Sequence, residues 1–167
     1  MGGTFFVTYN LQSCVPKHLY KKWQESYLQR KAHILRSFPN PKEELDRLEK
    51  LEFAKRDNYF DSLSHLDYPL KQDAVAQTVA DSLHYWHEKR IELYAYCIMP
   101  NHVHTVFRIF EEQEGKYVAY LQQVMKSIKS FSAKEANRVL NTSGQLWQSF
   151  HDGEIAKYQN MQMNMDL

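Results

Sequence analysis

Ile91-Glu92-Leu93-Tyr94-Ala95-Tyr96-Cys97-Ile98-Met99-Pro100-Asn101-His102-Val103-His104-Thr105-Val106-Phe107-Arg108-Ile109-Phe110 is the stretch that decides how this chain is read. Two apolar segments rich in β-branched and aromatic residues flank Pro100-Asn101, and proline and asparagine favour turns. The run therefore predicts two consecutive strands, Ile91 to Met99 and His102 to Phe110, joined by a tight connection. Side chains alternate along a strand, so His102 and His104 share one face, at an end of the sheet. Two imidazoles carried by one rigid strand suit a borderline divalent cation. His-x-His alone also fits histidines that merely line a polar cleft, and at this point both readings stand.

Working outward, Lys71 to Arg90 carries Val75, Val79, Leu83 and Trp86 along one stripe of an amphipathic helix. Thr4 to Asn10 reads as a first strand. Between them lies a helical insertion over about 16–63. Its first helix shows Leu19, Trp23, Tyr27, Ile34 and Phe38 at helical spacing and is stopped by Pro39 and Pro41. Its second, from Lys42 to about Leu63, has Leu45, Leu48, Phe53, Phe60 and Leu63 among charged residues and room for breaks. Downstream, Glu111 to Gly115 is a polar loop and a helix starts at Lys116 with Val118, Leu121, Met125 and Ile128 inward. Ser132-Ala133-Lys134-Glu135 has the capping-box pattern, which predicts a kink near Phe131 and a restart near Ala133. Leu146 to Phe150 reads as a short last strand.

Strand, helix, strand, strand, helix, strand is the order of an α+β ferredoxin-like sandwich: an antiparallel sheet with helices on one face and the other face free for a ligand. At 167 residues the chain is read as one domain, 1–167, with the insertion and a divergent tail over 151–167. The net charge of +1 hides segregation. Lys17, Lys21, Lys22, Arg30, Lys31 and Arg36 stand against Glu25 alone. Lys116, Lys126, Lys129, Lys134 and Arg138 stand against Glu135 alone, next to the histidine strand, and the acidic balance falls in Glu43 to Asp61. Cys14 and Cys97 are the two cysteines, too few for a disulfide framework or a cysteine zinc site. With no leader pattern and no apolar run long enough to span a bilayer, the expected setting is the cytoplasm, with no membrane partner.

The run Tyr94-Ala95-Tyr96-Cys97-Ile98-Met99-Pro100-Asn101-His102-Val103-His104 resembles the signature of the IS200-like single-strand transposases, most closely the REP-associated tyrosine transposases of the HUH nuclease superfamily. Phe5-Phe6-Val7-Thr8 is similar to that family's opening strand. The segment from Met125 to Asn137 resembles its basic helix, and Leu146-Trp147-Gln148 its tryptophan-glutamine element. Asn58-Tyr59-Phe60-Asp61 has a counterpart in longer members. The resemblance spans Thr4 to Asp152.

It implies a divalent metal, Mg2+ or Mn2+, held by His102, His104 and a third polar side chain. Candidates for that third ligand are His151, Gln159, Asn160 and Gln162. It further implies a tyrosine nucleophile that cleaves single-stranded or hairpin DNA in transposition, phosphate contacts by Lys126, Lys129, Lys134 and Arg138, and a homodimer. Tyr158 is the one tyrosine after Tyr120 and so the candidate nucleophile. After Gln148, however, the sequence departs from the family pattern, in which a long helix carries the tyrosine. The expectation is that this helix is missing or divergent here. Three readings follow: an active metal-dependent strand transferase, a non-catalytic DNA-binding remnant of one, and, from the residues without the resemblance, a small metallo-hydrolase or plain α+β domain.

Overall fold

The computed structural model describes residues 3–110 and 121–148. Three strands, β1 (Thr4–Asn10), β2 (Ile91–Ile98) and β3 (His102–Ile109), form an antiparallel sheet in the order β1-β3-β2. Helices α1 (Lys17–Ser37) and α2 (Lys42–Leu63) lie between β1 and α3 (Asp73–Trp86), and α4 (Leu121–Leu140) follows β3. The architecture is α+β, as the element order requires, with β3 in the centre of the sheet. That central place puts the histidine strand between two partners: Thr8 pairs with His104 on one side and Cys97 on the other.

One face of β3 carries Val103, Thr105, Phe107 and Ile109, all buried. They pack with Val75, Val79 and Leu83 of α3 and Val124, Met125 and Ile128 of α4 into the main core. The stripe spacing on α3 is what sends those three side chains inward. Each fully buried aliphatic or aromatic side chain is worth roughly 1.5–3 kcal/mol, so this layer carries most of the fold's stability.

α4 is one continuous helix over Leu121–Leu140, with no restart near Ala133 of the kind the capping-box pattern predicts. Ser132 caps nothing: its hydroxyl donates to the Ile128 carbonyl of the preceding turn and accepts the indole N–H of Trp147. Tertiary packing of Trp147 thus overrides the local pattern. α2 is likewise unbroken across its whole length. The helix end at Asn141 has φ of 51°, with N–H bonds from Asn141 to Arg138 and from Thr142 to Asn137, a Schellman closure with asparagine in the left-handed position.

The expected last strand is present as its beginning. Trp147 pairs antiparallel with Leu11, with Gln12 N–H donating to the Leu146 carbonyl and Gln148 N–H to the Asn10 carbonyl. This adds a short rung outside β1. β2 contains a bulge: Leu93 faces Phe107 and Ala95 faces Val106, leaving Tyr94 as the extra residue. Beyond it, Ala95 and Cys97 share the histidine face.

Candidate metal centre

Alternation along β3 places His102, His104, Val106 and Arg108 on the face opposite the core, where β1 contributes Phe6 and Thr8. That face is open in the simplest version of the sandwich. Here α2 crosses it at the His102 end. Phe53, Asp57 and Phe60, at i, i+4 and i+7, form one stripe of α2 and bring two rings and a carboxylate down on the histidines. Phe60 stacks on His102 with centroids 5.2 Å apart, and Phe6 stacks on His104 at 5.5 Å while Phe53 meets Phe6 edge-on.

The polar atoms converge inside this aromatic frame. His102 Nε2 and His104 Nε2 are 3.0 Å apart. Asp57 Oδ1 lies 3.1 Å from His104 Nε2 and 3.8 Å from His102 Nε2. All three ligand atoms fall within 4.8 Å of one another, the one such group of histidine, cysteine or acidic side chains among the described residues.

Each imidazole is also held from behind. His102 Nδ1 lies 2.7 Å from Asn101 Oδ1, and Asn101 Nδ2 donates to the Phe60 carbonyl at 2.8 Å, so a single buried amide ties the histidine strand to α2. His104 Nδ1 lies 2.8 Å from Thr8 Oγ1. Ligand histidines are characteristically oriented through their second nitrogen in this way.

Burial lowers the His102 imidazole from its ordinary 6.5 to about 4; neighbouring His104 adds to the fall and Asp61 opposes it. At neutral pH His102 is therefore uncharged with a lone pair available. Asp57 Oδ1 is buried and accepts no hydrogen bond. A buried carboxylate oxygen without a hydrogen bond, beside two imidazole nitrogens, makes a donor set that a divalent cation fits. Two atoms about 2.1 Å from one ion at right angles sit ~3 Å apart, close to the two shorter spacings here.

The other residues read from the sequence are placed elsewhere. Lys126, Lys134 and Arg138 are exposed on α4, on the far side of the sheet from the triad, and Arg138 pairs with Glu135 at 2.6 Å. Lys129 is not on that surface: it is 8% exposed, and its ammonium donates to the Gln148 carbonyl at 2.6 Å, fastening the short rung beside β1. The expectation that it faces phosphate gives way to this anchoring role. Tyr158, His151, Gln159, Asn160 and Gln162 lie outside the described residues. Asp57 was not singled out by sequence reasoning. Its signal was an acid bracketed by Phe53 and Phe60 at helical spacing, one residue before the Asn58-Tyr59-Phe60-Asp61 element.

The family model described as Transposase IS200 like matches residues 68–153, just over half of the chain. The chain belongs to the IS200-like transposase family. The match takes in α3, β2, the histidine strand, α4 and Trp147, and leaves Asp57 outside it. A solved structure of a REP-associated tyrosine transposase bound to a REP hairpin aligns with 88% of this IS200-like chain at 14% identity and a TM-score of 0.37. This chain spans 52% of that one, about half its length. No curated protein matches in sequence at a significant level. Among the described residues, no helix of this family member is long and apolar enough to cross a membrane.

Proposed function

We propose that this chain is a metal-dependent endonuclease and strand transferase that acts in the cytoplasm on single-stranded, hairpin-bearing DNA during transposition. The observation that carries the proposal is the Asp57-His102-His104 triad, set on the histidine face of a sheet whose family is that of IS200-like transposases.

The three side chains would hold Mg2+ or Mn2+, which supplies Lewis acidity against the charge that builds on a scissile phosphate. What the chain itself does is distinct. Burial keeps His102 neutral, so its Nε2 lone pair is available without competition from a proton near pH 7. Asn101 fixes that ring's orientation. Phe6, Phe53 and Phe60 exclude water from the backs of the imidazoles and hold the nitrogens converged. Tyr158 is the proposed nucleophile: its phenolic oxygen bonds to phosphorus as the 3′ oxygen leaves, giving a 5′-phosphotyrosine and a free 3′-hydroxyl. Lys126, Lys134 and Arg138 are assigned to backbone phosphates of DNA that extends around the molecule. A homodimer accompanies this reading.

The test is a denaturing gel of the full chain with hairpin-bearing single-stranded DNA and Mn2+. A covalent protein–DNA band that needs the metal and is lost in His102→Ala, His104→Ala and Tyr158→Phe is expected. Metal-dependent binding with no adduct from the wild-type chain overturns strand transfer in favour of a DNA-binding remnant, the reading favoured by the departure of the sequence after Gln148. Sedimentation of the same preparation tests the dimer.

A further inference from the structure

Resting on the metal reading above, the geometry points to Thr8 as a positioning residue whose hydroxyl reverses its hydrogen-bonding role when His104 takes up a cation. The inference follows from accounting for each proton in the chain of contacts behind the triad. The Phe60 carbonyl accepts only, so the Asn101 group 2.8 Å from it is the NH2. Asn101 Oδ1 therefore faces His102 Nδ1, and that nitrogen must carry the proton of the neutral ring. His102 Nε2 is then a bare acceptor.

His104 Nε2 lies 3.0 Å from that bare nitrogen. Asp57 Oδ1 lies 3.1 Å from the same His104 nitrogen, so His104 Nε2 faces two acceptors and is where the proton of the neutral His104 ring belongs. With the ring neutral, His104 Nδ1 is bare, and the Thr8 hydroxyl 2.8 Å away donates to it.

A cation shared by the two Nε2 atoms needs a lone pair where His104 now holds its proton. The proton leaves Nε2 for solvent and Nδ1 gains one from solvent; the ring's charge is unchanged and no electrons move. The His104 side chain is 20% exposed, so water reaches it. After the exchange Nδ1–H must donate, and the Thr8 oxygen becomes its acceptor. A hydroxyl serves both states by rotating about its C–O bond; an amide oxygen or a methyl serves at most one. Thr8 stands directly across from His104 in the β1–β3 register, which keeps the oxygen in place throughout. Asn101 is the contrasting case: its amide is pinned at both ends, so His102 is held in the metal-ready tautomer with or without the cation as long as α2 is seated.

The experiment uses the full chain, 15N-labelled at histidine and freed of metal with chelator, at a pH where the rings are neutral, with Zn2+ as a diamagnetic probe. Before zinc, His102 is expected to show a protonated Nδ1 and His104 a protonated Nε2; with zinc, the His104 proton is expected on Nδ1. Thr8→Val is expected to lower zinc affinity by roughly 10- to 100-fold, the range for outer-shell partners, and Thr8→Ser to restore it. Zinc uptake by Thr8→Val equal to wild type, or a His104 that already carries its proton on Nδ1 before zinc, overturns the inference while leaving the metal centre standing. A wild-type chain that takes up no zinc, and is indifferent to His102→Ala, overturns the metal centre and this inference with it.

Discussion

The sheet with α3 and α4 and the α1–α2 hairpin are held together by different physics. In the first, Val79, Leu83, Phe107, Met125 and Ile128 lie fully buried in one apolar layer. In the second, the anchors are few and mostly aromatic or polar. Trp23 meets Tyr59 edge-on, the Tyr59 hydroxyl donates to the Cys14 carbonyl, and Arg30 pairs with buried Glu52 at 2.8 Å. Asn101 reaches across to Phe60. The core layer supplies rigidity and two of the three ligand side chains. The hairpin puts Trp23 and Phe60 into the core and supplies the carboxylate. Stability and completeness of the site are thus divided between two regions.

The largest effect expected from breaking this division is in the core. Phe107→Ala removes a fully buried ring and should cost about 3–5 kcal/mol in urea unfolding, lowering the stability of the whole chain. A loss confined to the hairpin would contradict the division. Acidification comes next. In the unfolded chain His102 binds its proton near 6.5, whereas in the folded chain it does so near 4. Between those values the unfolded state holds more protons. Metal-free stability should therefore be intact above pH 6.5 and decline by about 3 kcal/mol as pH falls to 4. His102→Gln should flatten that decline in thermal scans.

Asp57→Asn sharpens the contrast, because it removes a ligand charge while leaving the core untouched. Mn2+ affinity by calorimetry should fall by on the order of 100-fold or more, beyond the usual cost of an outer-shell change, with the unfolding midpoint of the metal-free chain nearly unchanged. Arg30→Met leaves the Glu52 carboxylate buried without its nearest cation and should cost about 1–2 kcal/mol. Hydrogen exchange should quicken in α1 and α2 and stay slow in α3 and α4. The smallest effect belongs to the exposed α4 stripe: Lys134→Ala should lower the salt slope of single-stranded DNA binding by about 0.7.

The core layer was legible in the sequence because periodicity and burial agree there. Val75, Val79 and Leu83 repeat at helical spacing, β1 begins and ends where its β-branched and aromatic run does, and the Pro100-Asn101 turn sets His102 and His104 on one face. Three things were hidden. Asp57 has a local signal in its Phe53 and Phe60 flanks, but that stripe does not say which surface it meets, and the carboxylate becomes a partner to the histidines only once α2 crosses the sheet. Ser132 looked like a cap because its neighbours fit the box, and it is spoken for by Trp147. Lys129 sits in a basic run yet faces inward, since the buried stripe of α4 includes Ile128 and Ser132 on either side of it and the Gln148 carbonyl accepts from its ammonium.

The Asn101 amide has a kinetic consequence. Because its two ends grip His102 and the backbone of α2, any transient lifting of the hairpin releases the ring that it orients, and seating the ring again waits for α2 to return. The residence time of a bound cation is then capped by how often α2 opens, so substitutions along α1, remote from every ligand, would tune exchange rates without touching equilibrium geometry.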